Sequence, residues 1–149
     1  MRLRIAGLHK FLGLRKEYRV LLIRAFFYVL VVRLFLWFLP FVTLQRVLKA
    51  FRPRSHADTL PGIPAERIAW AVTVASRYVF RATCLVQAMA TQVLLAGEGM
   101  SSILRIGVMK GEHSSIEAHA WVESGGLIII GGSELIPYAT LASFGYEIK

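Results

Sequence analysis

The apolar pattern of this chain changes period at EGMSS, residues 98–102. Before it, CLVQAMATQVLLA (84–96) predicts a strongly apolar helix that Gly97 terminates. After it, ILRIGVMK (103–110) alternates partly and is rich in β-branched residues, which predicts a strand. HSSIEAHAWVES (113–124) and GLIII (126–130) predict two more strands, joined through Ser124-Gly125-Gly126 by a turn suited to a hairpin. In the middle strand, Ala118, Ala120 and Val122 fall on one face and His119, Trp121 and Glu123 on the other. The unbroken run LIII predicts a strand covered on both faces. Upstream, AERIAWAVTVASRYV (65–79) has apolar residues at helical spacing and predicts another helix. The class that follows is α+β, a helix packed on a small antiparallel sheet.

The front of the chain differs in charge. Residues 1–55 hold twelve Lys/Arg against a single acid, Glu17, a net of +11, whereas the remainder carries a net of −2. Within that front, YRVLLIRAFFYVLVVRLFLWFLPFVTLQRVLKAF (18–51) is long enough to cross a bilayer, but Arg24 and Arg33 interrupt it. A central arginine costs roughly 2.5–3.5 kcal/mol on insertion scales. Pro40 kinks or ends the first helix. The basic start MRLR resembles a signal peptide, but no small-residue cleavage site follows the apolar run. Three readings of this apolar, basic helical region stay open: packing on the core or on a partner protein, peripheral membrane contact, and a true span. Nucleic-acid binding is disfavoured because the basic residues are interleaved with Leu, Val and Phe. The Pro- and Gly-bearing stretch 51–66 marks a boundary, giving an arm at 1–55, a linker at 56–64 and a domain at 65–149.

Cys84 is the only cysteine in the 149 residues, so no intramolecular disulfide is available, which fits a reducing cytoplasmic compartment. No Cys/His spacing suits zinc and no Walker-type glycine loop appears, so neither a metal nor a nucleotide cofactor is expected. Thr83 is placed to cap the helix through its hydroxyl, which puts Cys84 at or near the first helical position. There the unpaired N–H groups favour a thiolate and could donate to an oxyanion. Taken alone, a cysteine in an apolar helix is most often a small buried hydrophobe, and a strand histidine is most often structural. His9, His56 and His113 take that ordinary reading, and Trp121, beside His119, reads as a core aromatic with partial contact to the site. Together, a helix-start thiol and a histidine on the packed sheet form the pair that papain-like catalysis requires.

TCLVQAMATQVLLAGEGMSSILRIGVMKG followed by EAHAWVESGGLIIIGG resembles the transglutaminase-like cysteine protease domain of lasso-peptide maturation proteins. The resemblance covers about residues 60–149. It implies a papain/transglutaminase-like core and a leader peptidase with Cys84 as nucleophile and His119 as general base. In the split form of the family that the short length resembles, a small leader-binding recognition protein presents the precursor peptide. An asparagine-synthetase-like partner then closes the ring. The family's third member is an acid shortly after the histidine. Here its place falls near Gly131 or Gly132, and Glu134 is the nearest carboxylate beyond, the resemblance's candidate for orienting His119. Glu123 lies roughly 13 Å along the same strand, too far for a direct hydrogen bond. The missing aspartate keeps an alternative open, a catalytically weak or inactive membrane-associated scaffold of the same fold.

Overall fold

A computed structural model of the chain describes residues 13–50, 63–110, 115–132 and 139–146. Four helices and a four-stranded antiparallel sheet follow in order: α1 (Lys16–Phe38), α2 (Phe41–Ala50), α3 (Ala65–Ser76), α4 (Cys84–Gly97), β1 (Ser102–Lys110), β2 (Ile116–Ser124), β3 (Leu127–Ile130) and β4 (Ala139–Tyr146). The sheet order is β3-β2-β1-β4. β3 and β4 therefore form the two edges of the sheet.

Pro40 separates the first two helices in the way its chemistry dictates. A residue preceding proline is pushed out of helical geometry, and Leu39 is extended at φ −120°, ψ 138°. The Pro40 carbonyl then accepts the first helical bonds of α2, from Thr43 (3.0 Å) and Leu44 (3.1 Å). On α1, Leu21, Leu22, Ala25, Val29 and Val32 form one buried stripe at helical spacing. That stripe joins the apolar cluster of α3, α4 and the sheet, so the arm and the downstream domain share one core. The opposite side of α1 is also apolar: Val20, Ile23, Phe27, Leu30, Leu34, Trp37 and Phe38 are exposed.

The two arginines that interrupt the α1 run both turn to the ends of α4. Arg24 pairs with Glu98 at 2.7 Å, just past the helix end. Arg33 donates through Nε to the Phe80 carbonyl at 3.2 Å, four residues before its start. Their charge therefore serves internal contacts.

Helix α3 ends three residues earlier than its apolar pattern predicts. Val79 is buried and extends the pattern, but the chain there has tightened into i→i−3 turns, Tyr78 N–H to Ala75 (3.0 Å) and Val79 N–H to Ser76 (3.3 Å). Helix α4 does include Gly97, yet the left-handed residue that stops it is Gly99, at φ +75°. Bonds from Gly99 N–H to the Ala96 carbonyl (3.1 Å) and from Met100 N–H to the Leu95 carbonyl (2.9 Å) form a Schellman motif.

The hairpin falls where expected. Gly125 and Gly126 both have positive φ, +59° and +80°, the requirement of a type I′ turn. The expectation for LIII is corrected: β3 is an edge strand, with Leu127 and Ile128 exposed and only Ile130 buried at its end. A purely apolar run does not distinguish an edge from a centre. β4 carries little apolar alternation in ATLASFGY and is held mainly by its ladder to β1.

Candidate active site

Thr83 occupies the N-cap position of α4 in extended geometry, φ −71°, ψ 168°, and Cys84 is the first helical residue. The expected capping bond is absent: the Thr83 hydroxyl makes none, while its carbonyl accepts the Gln87 N–H at 3.0 Å. The N–H groups of the first turn are therefore not taken by the cap residue, and they lie at the positive end of the helix beside the thiol. Cys84 is half-buried, packed partly against the core.

α4 packs on β1, β2 and β3. From β2, Ala120 and Val122 enter the core opposite Ile106 and Leu104 of β1, so His119, Trp121 and Glu123 occupy the other face, as alternation predicts. His119 is half-buried, and its Nε2 is hydrogen-bonded to the Gly131 carbonyl. Gly107 lies directly across from His119, and the β1–β4 ladder shifts register at that glycine. His119 thus lies on the sheet face turned away from the one on which α4 packs, so strand alternation does not bring the imidazole onto the Cys84 thiol.

Glu123 is engaged through its Oε1. It accepts from Trp121 Nε1 at 2.9 Å and pairs with Arg105 Nε at 2.7 Å, while the guanidinium also reaches the Ser143 hydroxyl at 3.1 Å. Partial burial works to raise its carboxyl, but the Trp121 and Arg105 hydrogen bonds and the Arg105 charge outweigh it and hold the group below its ordinary range. A depressed carboxylate stabilises the fold above its unfolded pKa and loses that contribution as pH falls through its folded value. Denaturant unfolding of wild type and Glu123→Gln should therefore differ at neutral pH and converge as pH drops below the ordinary carboxylate range.

Glu134 lies outside the described residues, as do His9, His56 and His113. Among the described residues, no group of three His, Cys, Asp or Glu is placed to hold a metal ion. The contact of His119 that sequence reasoning missed is the one to Gly131, because it runs through the main chain. Its only trace in the sequence is the glycine pair 131–132 at the place where the resemblance expects an acid.

A helix-start cysteine packed on an antiparallel sheet that bears histidine on an inner strand defines a papain- or transglutaminase-type architecture. The sequence profile of the transglutaminase-like superfamily matches residues 26–143, and the chain belongs to that superfamily, which includes cysteine proteases. The match begins within α1 and ends within β4. No curated protein and no solved structure matches the chain.

Proposed function

We propose that this protein is a cysteine endopeptidase that cuts the leader from a ribosomally made lasso-peptide precursor. A separate leader-binding protein would present the precursor, and a ring-closing, asparagine-synthetase-like enzyme would take the product. The observation that carries the reading is the lone cysteine as first residue of α4, in a transglutaminase-like chain whose β2 supplies His119. In this mechanism His119 takes the Cys84 proton and the thiolate attacks the scissile carbonyl carbon. First-turn N–H groups of α4 stabilise the oxyanion. The imidazolium returns its proton to the leaving amine, which departs as the core peptide's α-amine. Water, deprotonated by His119, then hydrolyses the leader thioester and restores the thiol.

Substrate recognition in this reading is delegated, so the isolated chain is nearly inactive. The direct test incubates the full chain with the leader-binding protein and the precursor, and reads the products by mass spectrometry. Hydrolysed leader and a core peptide with a free α-amine are expected. Absence of cleavage overturns the reading, and a leader joined to an added amine indicates acyl transfer instead. One observation favours the scaffold reading: strand alternation sets His119 on the sheet face opposite the one on which α4 packs. The same assay separates the two readings.

Peripheral contact with the inner face of the cell membrane is part of the proposal. The outward stripe Val20, Ile23, Phe27, Leu30, Leu34, Trp37 and Phe38 lies along a helix whose parent segment, residues 1–55, carries a net charge of +11. Each cation near an anionic surface contributes about 1 kcal/mol at low salt. Co-sedimentation with phosphatidylglycerol-containing vesicles should exceed that with pure phosphatidylcholine and fall with added salt. The double change Trp37→Ser with Phe38→Ser should weaken it.

A further inference from the structure

We infer that the turn Val79–Ala82, directly before α4, is a docking element for the peptide substrate, and that it receives an acidic and an apolar side chain close to the scissile bond. The identity of the peptide rests on the peptidase reading; the docking itself is measured without turnover.

The turn is held at several points. Ala82 N–H bonds to the Val79 carbonyl at 3.3 Å. Val79 is buried, and Ala82 packs against the core. Arg33 Nε donates to the Phe80 carbonyl at 3.2 Å, and Gln87 Nε2 to the Ala82 carbonyl at 3.4 Å. Arg81, third in the turn, lies in the left-handed region at φ +56°, where Gly or Asn is the ordinary occupant. Among the described residues, no other non-glycine has a positive φ. Such a backbone persists only where its surroundings over-determine it, and residues of this kind cluster at ligand-binding sites.

What the turn displays adds nothing to the core. Phe80 is 84% exposed and Tyr78 67%. Arg77 and Arg81 are exposed too, and neither side chain has a hydrogen-bond or ion-pair partner among the described residues. Aromatic rings and arginines are the side chains enriched where proteins hold partners.

Charge sets the chemistry of the occupant. Between Glu66 and Glu98, and between Glu17 and Asp58, the sequence contains no acid. Glu98 stands at the far end of α4 and is paired with Arg24. A carboxylate for Arg77 and Arg81 therefore comes from the partner, and the exposed rings select an apolar residue beside it. Phe80 is four residues from Cys84, a reach of roughly 14 Å at most. The segment held on the turn thus lies within a few residues of the bond under attack.

The probe is a fluorescein-labelled peptide spanning the cleavage junction of the precursor, titrated onto the full Cys84→Ala chain and read by anisotropy. Adding Phe80→Ser, Arg81→Gly or Arg81→Glu should each raise Kd about tenfold. A junction peptide with Lys in place of its acid should regain affinity for the Arg81→Glu chain. Arg81→Gly also suits the positive φ, so its unfolding midpoint should hold or rise while binding weakens. In turnover with the leader-binding protein, the same changes should raise KM and leave kcat nearly unchanged. Absence of binding, or a Kd unchanged in all three variants, overturns the inference. So does loss of vesicle co-sedimentation with Kd unchanged, which assigns the turn to lipid. A wild-type chain that holds the junction peptide through the turn and fails to cleave it supports the docking and counts against the peptidase reading.

Discussion

Cys84→Ala, assayed with leader-binding protein and precursor, should lower kcat/KM for leader removal by about 10⁴-fold or more, with the unfolding transition unchanged within experimental spread. The thiol is half-buried at the start of α4, so its removal takes away a nucleophile and only a small part of the packing. His119→Ala should cost a comparable factor, because the thiol then has no base. The double substitution should be scarcely worse than either alone, since residues acting as one unit are strongly non-additive. Near wild-type cleavage by both single variants would sink the enzyme reading and leave the scaffold.

The largest stability effect is expected far from the thiol. Glu98, directly after α4, has a side chain only 3% exposed and pairs with Arg24 of α1 at 2.7 Å. Arg24→Ala strands that carboxylate in a nearly dry site, and breaking such a pair from one side costs about 3 kcal/mol. Replacing both by methionine removes the buried charge together with its partner, so the double variant should be more stable than Arg24→Ala. Urea unfolding of Arg24→Ala, Glu98→Met and the Arg24→Met/Glu98→Met pair measures this. If Arg24→Ala shifts stability by only a few tenths of a kcal/mol, the pair is a solvated surface contact. Activity should fall with stability, because Arg24 and Arg33 together tie α1 to both ends of the helix that carries Cys84.

These ties also explain what was legible beforehand. Helix α4 and the β2–β3 hairpin were readable because their signals are local: an apolar stretch ending near glycines, a period change, and two glycines able to take positive φ. Arg24 and Arg33 were visible only as interruptions of an apolar run, since their partners stand 74 and 47 residues away in sequence. Burial on β3 was misjudged because LIII looks the same at the centre and at the edge of a sheet. In the site, the placement of Cys84 followed from Thr83 and the apolar stretch after it, although the structure assigns no capping bond to the Thr83 hydroxyl. The hydrogen bond between His119 and the Gly131 carbonyl was not legible, because every residue has a carbonyl and a main-chain contact leaves no residue-type signal.

The central claim is a covalent one, that Cys84 carries the leader as a thioester between cleavage and hydrolysis. Intact-mass and peptide-mapping spectrometry of acid-quenched turnover mixtures tests it most directly. The account predicts a transient species heavier than the free chain by the mass of the leader acyl group, mapped to Cys84 and absent in Cys84→Ala. Steady release of leader and core with Cys84 unmodified throughout would contradict it.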